Sequence, residues 1–306
     1  MTAAKPASRP GPAGTAPHCT DDAPGPRELD PRIHPVRPDL VAAHLAGEVT
    51  GRPSSRGRPC TVQAESAAMR RAPRADSMMI SQALFGETLL VYDLADGWAW
   101  CQNTIDGYVG YVAADALCPG TRVPTHRIAA LRAHIYARPD LKSAPVGALC
   151  RGSLVVWHQS SGPWVALAGS GGWVNRAALA PISRRWPDLV ATALVYRNCP
   201  YLWGGRSALG LDCSGLVQRA LLDAGIMAPR DSDQQLAVGQ AIDPDQWAPQ
   251  RGDLVFFPGH VGLMADGDHL VHANAAAMAV SYEPVRAVHD RLMASDGAGI
   301  SAIRRL

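Results

Sequence analysis

The sequence predicts an α+β chain with two small β-barrels in series, followed by a larger C-terminal α+β domain that carries the chemistry. Between about residues 60 and 182, short apolar segments with strand-like spacing alternate with Gly-containing turns. That stretch also repeats itself, since Gly110–Leu117 aligns with Gly172–Leu179, each preceded by a Gly, a Trp-bearing strand and a turn. From about residue 187 the pattern changes to helix-spaced apolar positions followed by three short strands.

The 306 residues suffice for two or three domains with real cores, and 47% hydrophobic with 18% charged residues is a soluble globular composition. A formal net charge of +2 provides no footprint for nucleic acid or an acidic membrane surface. The seven cysteines are odd in number and lack Cys-x-x-Cys spacing, so neither a disulfide framework, a metal site nor a cofactor is expected.

Residues 1–30 are rich in Pro, Ala, Gly and Thr, contain no apolar run typical of an export signal, and are expected to be disordered. On that reading the protein is expected to be cytoplasmic, and a monomer is expected. Residues 31–59 read as a short helix and a linker: Leu40, Val41, His44 and Leu45 have helical spacing within Asp39–Val49, and a loop follows over Arg52–Arg58.

In the first barrel, residues 60–120, strands are predicted at Thr88–Tyr92, Trp98–Gln102 and Gly107–Val112, separated by Asp96-Gly97 and Asp106-Gly107. The second barrel covers residues 124–182. Trp98, Trp100, Trp164 and Trp173 more often fill or cover such small cores than bind a ligand.

After a short linker, the C-terminal domain, residues 187–306, opens with a helix over Asp188–Asn198, ended by Pro200. The Gly204-Gly205 loop then delivers the chain to a helix beginning at Cys213, with Leu216, Val217, Ala220, Leu221 and Ala224 on its apolar face and Gly225 as its stop. A thiol there feels unpaired N–H groups and the positive helix end, which favour the nucleophilic thiolate.

A base is found downstream, where strands Leu254–Phe257, His260–Met264 and His269–Asn274 are predicted. With Ala265-Asp266-Gly267 as a three-residue loop, His260 and His272 stand directly opposite on one sheet face, one as base to the thiol and one as its orienter. Between the helix and these strands, Pro229–Gln235 forms a polar turn in which Asp231 or Ser232 can cap a helix.

Together Tyr201 with Gly204-Gly205, Asp212-Cys213-Ser214-Gly215, the Arg251–Phe257 segment, His260-Val-Gly and Val271-His272-Ala resemble the NlpC-type papain-like cysteine peptidases of bacterial cell-wall peptides. The two barrels resemble bacterial SH3-like modules.

The resemblance implies a papain-like domain in which Cys213, His260 and His272 form the triad and Tyr201 helps to hold the oxyanion. It further implies a murein-derived peptide substrate with a free N-terminal L-Ala, cut after γ-D-Glu. Ser214 and Ser232 would lie near the substrate, and Asp212, helped by Glu87 and Tyr111 of the first barrel, would bind the ammonium. Three other readings share these residues: an exported hydrolase acting on the intact cell wall, a non-catalytic wall-binding module, and an acyltransferase using the same thiol chemistry.

Overall fold

The computed structural model describes Met1 and residues 29–306. The disordered tail expected over residues 1–30 falls, but for its ends, outside the described residues.

Seven strands form the first β unit, in spatial order 79–84, 66–70, 109–113, 98–103, 88–95, 58–62 and 117–119. Their inward positions, Val62, Met69, Leu89, Val91, Cys101 and Val112 among them, make a small core of its own. The Asp96-Gly97 turn joins strands Thr88–Ala95 and Trp98–Asn103, with φ of 51° and 79°, the left-handed values a two-residue hairpin needs.

A second unit, between residues 126 and 181, folds into a three-stranded and a five-stranded sheet around Ile128, Ile135, Leu149, Val165 and Val174. The repeat seen in the sequence has a structural counterpart. In each unit a strand runs through a 3-10 turn into a final strand: Val109–Ala113, Ala114–Ala116 and Leu117–Pro119, then Trp173–Asn175, Arg176–Ala178 and Leu179–Pro181. Trp100 and Trp164 are buried, whereas Trp98 and Trp173 are half-buried.

The helix expected over Asp39–Val49 is not formed. Val41–Ala42 is a short strand paired with Ser54–Ser55, and only Ala43–Leu45 makes a single 3-10 turn. Val41, Ala42 and Leu45 are buried with Tyr92, Trp100 and Val109 of the first barrel, so tertiary burial rather than helical periodicity places them.

The C-terminal domain contains helices α1 (Leu189–Leu194), α2 (Cys213–Ala224), α3 (Ser232–Gln235) and α4 (Val285–Asp296). Its sheet contains β1 (Gln240–Ile242), β2 (Leu254–Phe257), β3 (His260–Met264), β4 (His269–Asn274), β5 (Ala279–Pro284) and β6 (Ala302–Arg305). The spatial order is β1-β6-β2-β3-β4-β5, with every pair antiparallel.

Helix α2 lays Leu216, Val217, Ala220 and Leu221 into the core shared with Val261, Leu263 and Val271 of this sheet. On the opposite sheet face, Val255, Phe257 and Leu270 cover Val288 of α4. The sheet is thus sandwiched, and α2 brings Cys213 to the edge of the strands that carry the histidines.

Candidate active site

Asp212 caps α2. Its Oδ1 accepts from Gly215 N at 2.7 Å, the bond an Asp at this position makes to the third helical amide, which stabilises a helix by about 1 kcal/mol. Upstream, Gly204 has φ +76°, and a Cβ there would come within 2.8 Å of the Met79 carbonyl oxygen of the first barrel. Glycine therefore lets the loop lie directly on the barrel backbone.

The Asp212 carboxylate has four donors. Oδ2 accepts from Gly204 N at 2.8 Å and from the buried Arg230 guanidinium at 2.6 Å; Oδ1 accepts from Gly215 N and, at 3.4 Å, from Ser214 Oγ. These donors make Asp212 a structural pin of the loop and helix start, and its side chain also lines the cleft where an ammonium was expected.

Arg230 also donates to Ser214 Oγ at 2.9 Å and to Ser81 Oγ of the first barrel at 3.2 Å. Neither Arg230 nor its role was visible in the sequence, because nothing marks an arginine in a polar turn as buried.

Glu87 does not reach the cleft. It is wholly buried, paired with Arg206 at 3.2 Å and accepting from Asn103 Nδ2 at 2.7 Å, so it joins the first barrel to the C-terminal domain instead of facing a ligand.

Tyr111 does line the cleft, as do Ser214 and Ser232. The Tyr111 hydroxyl accepts from Arg37 at 3.4 Å. Ser232 opens α3, while Asp231 occupies the cap position without a side-chain capping bond, its carboxylate turned instead to Tyr108 and Arg32.

A cavity of about 690 Å³ lies over Cys213, with Asp212, Ser214, Trp203 and Asp231–Asp233 on the C-terminal side. The first barrel contributes Trp100 and Tyr108–Tyr111, and residues 31–38 close another wall. Across the cavity Tyr108 Oη donates to Asp231, 3.0 Å from Oδ2 and 3.2 Å from Oδ1, while Arg32 donates to Oδ2 at 2.9 Å. Burial raises the Asp231 carboxyl above its usual range against the opposing pull of Tyr108 and the arginines. Tyr108 is a cleft residue that nothing in the sequence singled out, and Asp231 is one the sequence offered only as a helix cap.

His260 and His272 share a face of the sheet, but not by the register expected. The observed pairs are Leu263 with Val271 and Met264 with Leu270. Four residues, 265–268, separate the strands, and Asp266 Oδ1 organises the turn by accepting from Asp268 N and His269 N, both at 2.8 Å.

The register is therefore shifted by two, which keeps both imidazoles on one face and makes their contact diagonal. His260 Nε2 lies 2.7 Å from His272 Nδ1. Gly262 makes room, since a Cβ there would stand 3.0 Å from the His272 Cβ. Behind His272, its Nε2 lies 2.8 Å from Glu283 Oε1, and Arg291 holds both Glu283 oxygens at 2.8 and 3.1 Å.

Burial works against the thiolate that the helix start favours. Burial, and then the Asp212 carboxylate, push the Cys213 thiol up to about 11, outweighing the Val261 and Ser214 amides that favour the thiolate. Burial, with His272 and Arg291, lowers His260 to about 3. Tyr201, half-buried beside Cys213 and Asp212, is pushed up to about 12 by burial and so keeps its proton.

Among the described residues no His, Cys, Asp and Glu cluster could hold a metal ion, and the six described cysteines are free. No described helix is long and apolar enough to cross a membrane.

Comparison with known proteins agrees with this arrangement. Residues 198–294 match the NlpC/P60 family, and residues 69–117 match the bacterial dipeptidyl-peptidase Sh3 domain. Dipeptidyl-peptidase 6 of Lysinibacillus sphaericus is 28% identical over 260 residues, 76% of this chain and 94% of that protein. Gamma-D-glutamyl-L-lysine dipeptidyl-peptidase of Bacillus subtilis is 31% identical over 112 residues, spanning 33% of this chain and 37% of that protein.

The crystal structure of an NlpC/P60 family protein from Bacillus cereus has the same fold, with a TM-score of 0.66 at 20% identity over 81% of this chain and 99% of that one. The chain thus combines an NlpC/P60 domain, a papain-like cysteine peptidase domain matched over residues 198–294, with a bacterial SH3 domain matched over residues 69–117.

Proposed function

We propose that the chain hydrolyses the γ-D-glutamyl to diamino acid bond in murein peptides whose N-terminal L-Ala is free. The observation that carries this reading is the closed end of the cleft, where residues 31–38 and the first barrel face Asp231 across the cavity over Cys213. Asp231 takes the place of Glu87 beside Asp212 as an ammonium partner. Among the described residues its Oδ1 accepts from the Tyr108 hydroxyl alone, leaving a lone pair for an N–H⁺. Relatives named gamma-D-glutamyl-L-lysine dipeptidyl-peptidase support the choice of bond.

In this mechanism His260 takes the Cys213 proton and the thiolate attacks the γ-carbonyl carbon. The oxyanion forms against the Tyr201 hydroxyl and the Cys213 N–H. The imidazolium returns its proton to the departing amine, and water then hydrolyses the thioester with His260 again as base. His272 keeps the His260 ring in place.

A peptidase confined to free amino termini acts on released fragments, consistent with a role in recycling within the cytoplasm. The test compares L-Ala-γ-D-Glu-diaminopimelate with its N-acetylated form by mass spectrometry of the products. A charge-assisted hydrogen bond in a buried site is worth roughly 1.5–3 kcal/mol, so the acetylated peptide should be cut about ten- to a hundredfold more slowly, and intact sacculi should resist. Equal cleavage of all three overturns the closed-cleft reading and points to a hydrolase of intact wall.

A further inference from the structure

We propose that Glu283, gripped by Arg291, sets the direction of the proton between the two imidazoles and thereby leaves a lone pair on His260 for the thiol, making Glu283 a positioning residue for the hydrolysis. This rests on the reading of Cys213 as nucleophile and His260 as base.

The contact between His260 Nε2 and His272 Nδ1 at 2.7 Å contains one proton, and distance alone does not say which ring owns it. The choice matters. If His272 Nδ1 carries the proton, His260 Nε2 must accept it, so a neutral His260 bears its own hydrogen on Nδ1 and cannot take one from Cys213. If His260 Nε2 carries the proton, Nδ1 is a lone pair and His260 is a base.

The far side of His272 decides. Its Nε2 meets Glu283 Oε1 at 2.8 Å. An ionised carboxylate only accepts, and the Arg291 hydrogen bonds, after that of His272, hold Glu283 well below the usual carboxyl range. A His272 that carries one ring proton therefore holds it on Nε2, its Nδ1 accepts, and His260 Nε2 donates. On catalysis the thiol proton moves to His260 Nδ1, and the imidazolium keeps Nε2–H toward His272.

A competitor stands beside the same atom. Asn274 Nδ2 lies 3.1 Å from His272 Nε2, and its amide orientation is fixed because Oδ1 accepts from Ala277 N at 2.8 Å. One amide hydrogen goes to Ser281 Oγ at 2.7 Å; the other could be donated to an unprotonated Nε2. That bond would select the opposite tautomer. Glu283 suppresses it, and without Glu283 Asn274 would reverse the relay.

Two variants exploit this opposition. Glu283→Met should lower kcat on the order of a hundredfold or more, with KM within about twofold, because the base starts from the wrong tautomer. Adding Asn274→Asp puts an isosteric carboxylate at the same nitrogen and should recover at least about tenfold of that loss. ¹⁵N NMR of the imidazoles reads the tautomers directly: His260 Nδ1 should be unprotonated in the parent protein and protonated in Glu283→Met.

A proton on His260 Nδ1 in the parent overturns the inference whatever the activities are. So does a Glu283→Met protein with kcat within twofold of the parent, or a folded double variant with no recovery. If Glu283→Met does not fold by near-ultraviolet circular dichroism, Glu283→Gln takes its place with a smaller expected fall in kcat, and the unprotonated His260 Nδ1 of the parent is the deciding NMR result. The underlying reading fails separately, through a Cys213→Ala protein that still hydrolyses the tripeptide.

Discussion

The two β units have the same closing motif of strand, 3-10 turn and strand, yet they grip opposite ends of one helix with different chemistry. The first unit meets the start of α2. Arg206 pairs with Glu87, Arg230 reaches Ser81, Gln218 donates to Asp106 at 3.0 Å, and Tyr108 crosses to Asp231.

The second unit meets the last turn of α2 at Asp223. This buried carboxylate faces Arg151 at 2.7 Å, Arg219 at 3.2 Å and Arg127 at 3.8 Å. Arg151 and Arg127 also lie over the Trp186 ring, at 4.6 and 5.9 Å from its centroid. Only the first contact opens onto the cleft. A repeated fold thus supplies a repeated shape, while the side chains it turns toward α2 decide whether the unit shapes a substrate site or braces the helix.

The largest expected effects test whether bracing and shaping are separable. Asp223→Asn leaves three nearly buried guanidinium groups without their carboxylate, and Arg230→Met leaves Asp212 buried without its main cation. Breaking a buried pair in this way typically costs about 3–5 kcal/mol, measurable as a fall in stability in denaturant titrations of both variants. The variants should part company in steady-state kinetics. Folded Asp223→Asn should keep kcat/KM within about twofold, whereas Arg230→Met should lose at least about tenfold, because Asp212, Ser214 and the loop before Cys213 lose their shared anchor. Matching kinetic losses would show that the brace also tunes the cleft.

A smaller effect is expected from Asp231→Asn, which removes charge but little volume. If Asp231 receives the substrate ammonium, the preference for free over N-acetylated tripeptide should shrink by about ten- to a hundredfold, chiefly through slower cleavage of the free peptide. An unchanged preference would move the ammonium site elsewhere in the cleft.

What could be read from the sequence follows a physical divide. The α2 start at Cys213 was legible because a polar cap, a Gly-rich approach and helical apolar spacing are all local signals. The strands bearing His260 and His272 were legible for the same reason, and the error in their register was an even number, which a two-residue side-chain period forgives.

Glu87, Asp212, Arg230 and Asp231 were not legible. Whether a carboxylate faces a ligand or a buried arginine depends on which distant segment packs on it: Glu87 meets Arg206, 119 positions away, and Tyr108 meets Asp231, 123 positions away. The Asp39–Val49 segment fails similarly, since three apolar residues with helical spacing were captured by the outer face of a barrel. The depressed His260 and raised Cys213 values belong to the same class, because burial by remote segments leads both shifts.

The smallest expected effect compares one hydroxyl from each β unit. Tyr108 is buried, and its hydroxyl donates across the domain junction to a carboxylate that burial already holds above its ordinary range. Tyr108→Phe removes that donor without changing the ring. A hydrogen bond of this kind contributes about 0.5–1.5 kcal/mol net, somewhat more to a charged acceptor, so kcat/KM for the free tripeptide should fall about two- to tenfold.

Loss of the donor also removes one of the influences that lower the Asp231 value, so the deficit should deepen as pH falls toward the carboxyl range and ease above it. Tyr136, set edge-on to Trp164 at 5.1 Å in the second unit, offers the control. It lines a separate cavity of about 340 Å³ with His134 and Pro163, which shares no lining residue with the cavity over Cys213. Tyr136→Phe should leave kcat/KM within about twofold at every pH. A Tyr136→Phe deficit of the same size and pH dependence would mean that both units feel the substrate, and the division between shaping and bracing would have to be abandoned.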